Sequence, residues 1–294
     1  MRIGDLIRDP LPKVPDQLTV GGLPNFYALT RYNGVSAPFA AGINPIRWAT
    51  TVSGRRRPAV IVRSSPHKAG SSTTPWEDTF QPDRGHVRYF GDHKVGRTEP
   101  AHRSSGNQEL LRLIEEHRSP DPATRLSAAP LIFFETVRHE GKVKGHVRFQ
   151  GIGLLTSAEL VTQVDRKTGT SFSNYVYDCL VVSLAAENEV FDWRWINSRR
   201  EAFDDKTALK PAPAAWKDWV TNGSIALPRV RRRVATLLTT PAAAQRPIVG
   251  SREERTLKEV YAYYEHKKHR FEAVAEIVAE RVIGGSGTLY RRGG

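Results

Sequence analysis

The chain has 294 residues, 39% of them hydrophobic and 26% charged, enough for two modest domains or one larger domain with an appendage. Lysine and arginine outnumber aspartate and glutamate by 44 to 31, a net charge of +13, which favours polyanionic partners. No apolar run reaches the roughly 18 residues a membrane span needs, the start MRIGDLIRDPLPKVPDQL lacks the apolar stretch of a secretory signal, and the single Cys179 allows neither an internal disulfide nor a zinc cluster; a cytoplasmic protein without a membrane partner is expected.

From residue 1 to about 200 the texture is strand-like, with short apolar or β-branched runs separated by turn residues. The clearest are PAVIVRS, VRYFGD, APLIFFETVR, GHVRFQGIGLL and YVYDCLVVSL. VRHEGKVKGHV reads as a hairpin turning around Glu140, Gly141 and Lys142. One helix interrupts the strands: Gly106 to His117 places Leu110, Leu111, Leu113 and Ile114 on one side and stops before Ser119-Pro120. Beyond about 200 the pattern becomes helical, in PAPAAWKDWVTNG, in ALPRVRRRVATLL and in one long helix from Arg252 to Ile283. Ser251 followed by Glu254 forms a capping box for that last helix. PAAAQRP reads as a flexible joint, and the tail GGSGTLYRRGG as a linker that has lost the module it led to.

The run from Arg63 to Lys94 combines cations, small hydroxyl and glycine residues, four aromatics and Asp92. Phosphates call for such donors on a close-approaching backbone, and a base drawn out of its stack calls for aromatic faces and a polar reader. The alternative is a long polar surface loop. In VRYFGDHK, strand alternation sends Arg88, Phe90 and Asp92 to one face and Tyr89, Gly91 and His93 to the other. Asp92 at the strand end either accepts the exocyclic amine of a cytosine, with Trp76 or Tyr89 covering the ring, or caps a turn while Tyr89 and Phe90 fill the core. Arg55 to Arg57 and Arg229 to Arg233 form two basic clusters, each either a solvated face or a phosphate site. Asp121, Glu140 and Lys142 match a loose PD…ExK nuclease pattern, but in a proline-rich loop and a hairpin turn rather than in core strands. No zinc motif, G-x-S-x-G elbow or glycine-rich phosphate loop occurs.

RSSPHKAG, TPWED, VRYFGDHK with SGNQELL, LIFFETV, FSNYVYDC and FDWRWINSRR, in this order, resemble the N-terminal recognition region of AspBHI-type restriction endonucleases, with weaker similarity through RFEAVAEIVAERV. The resemblance implies an α+β chain. Residues 1–200 would form an SRA-like domain, a curved barrel related to PUA folds, that binds duplex DNA containing 5-methylcytosine or 5-hydroxymethylcytosine by extruding the modified base. Residues 201–294 would be a helical segment leading to a nuclease domain that this chain lacks. It further implies base-binding by Asp92, Tyr89, Trp76 and His93, and contacts to the DNA backbone from Arg63, Ser64, Ser65, His67, Lys68 and Lys94. No cofactor is expected for binding, and Mg2+ only with a nuclease domain. A homo-oligomer or a separate nuclease chain is the further partner to look for. Trp193 and Trp195 are expected to anchor packing, with Arg199 and Arg200 as further DNA contacts. The rival readings are an active metal-dependent endonuclease using Asp121, Glu140 and Lys142, and a generic basic DNA- or RNA-binding protein.

Overall fold

The computed structural model describes residues 1–71, 76–165, 167–234 and 246–283. The chain divides into two compact units, Met1–Ala235 and Thr236–Gly294. In the first, the strands are β1 (Leu6–Arg8), β2 (Thr19–Val20), β3 (Leu23–Pro24), β4 (Ile43–Pro45), β5 (Ala49–Thr51), β6 (Gly54–Arg56), β7 (Val60–Ser64), β8 (Thr79–Gln81), β9 (His86–Phe90), β10 (Leu131–Thr136), β11 (His146–Val164) and β12 (Ser171–Val181). One mixed sheet runs β4-β7-β10-β11-β12-β9-β8, with β1 also pairing to β11. Among the described residues only β7 and β10 pair as parallel strands. Both lie in mid-sheet, so they must be apolar on both faces, which is why VIV and LIFF carry no polar alternation.

That two-sidedness builds two cores. Ile61, Ile132 and Phe134 join a cluster with Phe26, Phe39, Trp193, Trp195, Trp216 and Trp219. Their strand neighbours Val60, Val62, Leu131 and Phe133 join Val87, Tyr89, Tyr177 and Leu110, Leu113 and Ile114 on the opposite face. The first face is covered by α1 (Phe26–Tyr32), α4 (Trp193–Glu201) and α6 (Ala214–Asn222), the second by α2 (Ser105–Arg118); α3 (Pro122–Ser127), α5 (Asp205–Leu209) and α7 (Leu227–Val230) complete the unit. Each fully buried leucine or isoleucine of α2 contributes roughly 1.5–3 kcal/mol. Register shifts between Phe133 and Phe134 and between Leu155 and Ser157 bend the sheet. The first unit thus includes α5 to α7, which the sequence reading assigned to the C-terminal segment. No helix among the described residues is long and apolar enough to cross a membrane.

The five named strands, the helix over 106–117 and the helix in PAPAAWKDWVTNG form where expected. The hairpin turns where its sequence requires, with paired hydrogen bonds between His139 and Lys142 and positive φ at Glu140 and Gly141. Trp193 and Trp195 are buried packing anchors. Two expectations need correction. The arginine run after Leu227 is not a long helix: α7 ends at Val230, and the backbone of Arg232 pairs with Val181 instead. In the second unit, the helix from Arg252 to Ile283 is two helices, α8 (Arg252–Tyr264) and α9 (Lys268–Ile283), parted at Glu265–Lys267. The sequence at that break is a run of four basic or imidazole residues, His266 to His269. The Ser251 cap holds, its hydroxyl accepting from the Glu254 N–H at 3.1 Å. The tail GGSGTLYRRGG and most of PAAAQRP lie outside the described residues.

Candidate nucleic-acid interface

Strand β9 alternates as its sequence demands. Val87 and Tyr89 point into the second core and Arg88 is exposed on the other face. Tyr89 is therefore a core residue, and burial raises its phenol well above the usual range, so it stays neutral. After Phe90 the strand stops at Gly91, where any Cβ would stand 1.8 Å from the Asn107 side-chain oxygen. Asp92 then turns toward α2. Its two oxygens accept from the N–H groups of Gly106 at 2.8 Å and Asn107 at 3.1 Å, satisfying the helix N-terminus that Ser104 leaves uncapped. Gly106 makes that approach possible, since a Cβ there would lie 2.8 Å from the carboxylate carbon. Of the two sequence readings of Asp92, the cap is the contact it makes, and each oxygen retains a second lone pair.

His93 is buried, its ring nitrogens 2.6 Å from the Ser173 carbonyl oxygen and 2.9 Å from that of Glu99. Around it stands an aromatic group that sequence reasoning captures only in part. Trp76 stacks on Phe90 with centroids 6.2 Å apart, Phe172 lies 6.3 Å from Trp76, and His93 lies 6.5 Å from Phe172. A cleft of about 550 Å³ opens beside it, lined by His93, Arg97, Glu99, Leu160, Phe172 and Tyr175. Phe172 falls in FSNYVYDC, a phrase notable only for its resemblance, and no local signal joins it to Trp76.

Asp78 is a second residue that sequence reasoning misses. Its Oδ2 accepts from the Ser64 hydroxyl at 2.7 Å and its Oδ1 from the Phe90 N–H at 2.9 Å. Burial pushes this carboxyl up to about 6, with Glu135 and Glu77 adding to the rise. Its place in TPWED, two residues after Trp76, is the available signal.

The six expected backbone contacts divide. Arg63 is an internal tie, paired with Asp9 at 2.7 Å, bonded to Thr136 at 3.1 Å and lying over the Phe39 ring. Ser64 is buried on Asp78, and half-buried Ser65 sits 3.4 Å from Thr136 Oγ1. His67, Lys68 and Lys94 are exposed. Partial burial, then the charges of Lys68, Lys144 and Arg63, hold the His67 imidazole below its usual range, so cations gather here.

Much of the remaining positive charge is engaged inside the fold. Arg199, 1% exposed, donates to the carbonyls of Arg57, Pro58, Ser127 and Ala128. Arg56 donates to those of Arg199 and Ala202 and pairs with Asp205 at 2.6 Å. Arg57 is held two-pronged by Glu109 and covers Trp48 at 4.1 Å. Arg229 pairs with Asp218, and Arg232 with Glu189 and Asp83. Arg56, Arg57, Arg229 and Arg232 of the two sequence clusters are thus paired within the fold, while Arg55 and Arg233 are exposed. Asp121 serves as the cap of α3, accepting from Ala123 and Thr124, while Glu140 and Lys142 sit exposed on the hairpin. Among the described residues no group of three His, Cys, Asp or Glu side chains is placed to hold a metal ion.

Residues 41–230 match the family model for the restriction endonuclease AspBHI N-terminal region. Among solved structures, the chain is similar to MspJI restriction endonuclease in complex with a 27-mer oligonucleotide, with 37% identity and a TM-score of 0.74 over 96% of this chain and 65% of that one. It is also similar in fold to the DNA recognition domain of the cytosine modification-dependent restriction endonuclease LpnPI, with 16% identity and a TM-score of 0.55 over 82% of this chain and 93% of that one. The chain therefore spans just under two thirds of the MspJI chain. No curated protein sequence matches it.

Proposed function

The chain belongs to the family of restriction endonuclease AspBHI N-terminal domains, and from that premise we propose that it reads modified cytosine, 5-methylcytosine or 5-hydroxymethylcytosine, in duplex DNA by drawing the base out of the stack. The observation that carries the proposal is Phe172, which lines an open cleft and stands against buried Trp76, itself stacked on Phe90, together with the exposed His67, Lys68 and Lys94 that follow β7 and β9. A flipped base needs a ring face to stack on and cations to hold its displaced backbone.

In this reading Trp76 stacks on the base and Asp92 accepts its exocyclic amine through the lone pairs the α2 cap leaves free. His93 clamps the loop beneath, and Tyr89 supports it from the core. His67, Lys68, Lys94 and Ser65 meet phosphates, while Arg63 and Ser64 act by holding the loop that carries them. Beyond Tyr175, β11 and β12 continue as a two-stranded ribbon whose turn carries exposed Lys167, a shape the major groove admits. The bent sheet is taken as an SRA-like half-barrel. The first unit, α5 to α7 included, supplies the reading surface, and α8 and α9 of the second unit belong to the side of the cutting part in a cytoplasmic restriction system. Binding needs no cofactor; Mg2+ belongs to cleavage.

A 2-aminopurine placed beside the modified cytosine reports extrusion directly. Its fluorescence is expected to rise when the chain binds the modified duplex and to stay flat with the unmodified one. A flat signal on a saturated modified duplex would remove base flipping from the account.

A further inference from the structure

Strands β7 and β9 are not neighbours in the sheet: β10, β11 and β12 lie between them in the hydrogen-bonded order. Among the described residues no backbone ladder joins the end of β7, which leads into His67 and Lys68, to the end of β9, which carries Phe90. The Asp78 carboxylate does. Asp78 takes the Ser64 hydroxyl on one oxygen and the Phe90 N–H on the other, so the chain leaving β7 at Ser64 is fastened to itself and to β9 before it enters β8. Trp76, two residues away, rests on the ring of Phe90.

We propose that Asp78 is a positioning residue for base reading: it ties the end of β7 at Ser64 to the end of β9 at Phe90 and seats Trp76 on Phe90, without touching the base itself. This rests on the recognition reading above. Burying a carboxylate is costly, and its acid is pushed up to about 6. The site keeps it there because both oxygens tie separate strands. A hydrogen bond to a charged group is worth enough for its loss to free the chain that leaves β7 at Ser64 from β9.

The test compares Asp78→Ala with Asp78→Asn in the full chain, because asparagine keeps an acceptor for the Phe90 N–H and offers an N–H to the Ser64 oxygen. Two readouts are taken: trypsin cleavage after Lys68 without DNA, and the ratio of affinities for 5-methylcytosine and cytosine duplexes. Asp78→Ala is expected to speed cleavage and lower the ratio, each about tenfold or more, while affinity for the unmodified duplex changes less than about threefold. Asp78→Asn is expected to stay within about threefold of the native chain on both readouts. Should the alanine variant fold poorly, Ser64→Ala removes one tie and is expected to shift both readouts in the same direction. Loss of the ratio in Asp78→Asn as complete as in Asp78→Ala would overturn the proposal, since the carboxylate would then be reading the base. Unchanged cleavage after Lys68 in Asp78→Ala would overturn the latch. A native chain with no preference would instead sink the recognition reading, and the proteolysis arm would still judge the latch alone.

Discussion

Replacing Asp78 by asparagine has an energetic consequence that can be worked out before any DNA is added. The folded chain raises this carboxyl from 3.8 to about 6, so the folded state holds the proton more tightly than the unfolded chain. Below 3.8 both states are protonated and the group costs nothing; as pH rises through the folded value the penalty grows, and above it the penalty is complete. At about 1.4 kcal/mol per pH unit it reaches roughly 3 kcal/mol. Asparagine keeps the contacts to Phe90 and Ser64 and removes the buried charge. At pH 7.5 Asp78→Asn should therefore be more stable than the native chain by up to about 3 kcal/mol, an increase in urea midpoint of roughly 1 M. At pH 3 the two should nearly coincide. All six tryptophans lie in the first unit, so intrinsic fluorescence follows that unit through a urea titration. A variant less stable than the native chain at pH 7.5, or a stability difference independent of pH, would refute the reasoning.

His117 supplies the opposite slope. It is buried, accepts from the Leu155 N–H on Nδ1, bonds the Ala129 carbonyl through Nε2, and burial pushes it down to about 3. Its stabilising neutral form is complete above the unfolded value near 6.5 and is lost as pH falls, so the native advantage over His117→Gln should shrink by roughly 2 kcal/mol between pH 7 and pH 5 in the same titration. Arg199→Met should cost about 3–5 kcal/mol by stranding four carbonyls, and Arg199→Lys should recover little, because an ammonium cannot reproduce the fork. Lys68→Ala and Lys94→Ala should weaken binding to modified and unmodified duplexes alike and reduce the slope of log affinity against log salt by about 0.9 for each phosphate no longer neutralised. A variant that altered preference instead would place that lysine at the base.

What the sequence disclosed follows the range of the interactions involved. VIVRS, LIFFET, the Glu140-Gly141 turn, the apolar side of α2 and the Ser251 cap depend on neighbours within a few residues, and all were legible. The run of β11 to Val164 was not, because SAELVTQV becomes a strand only by pairing with β12. Arginines mislead for the same reason. Nothing local to Arg56 or Arg199 announces that the carbonyls they satisfy lie some 70 to 140 residues away. Arg63 and Ser64 looked like phosphate donors until their partners, Asp9 and Asp78, came from elsewhere in the chain. Trp76 and His93 were chosen for their chemistry and the fold gathers them, whereas strand alternation alone sends Tyr89 into the core.

The central claim is that this chain discriminates a modified cytosine within a duplex. Equilibrium binding to matched duplexes differing only in one cytosine, 5-methylcytosine or 5-hydroxymethylcytosine, at near-physiological salt with and without Mg2+, tests it most directly. The account predicts at least about tenfold tighter binding to one modified duplex, about 1.4 kcal/mol of discrimination, independent of the metal. Equal affinity for all three would contradict it and leave a basic protein that holds nucleic acid without reading it.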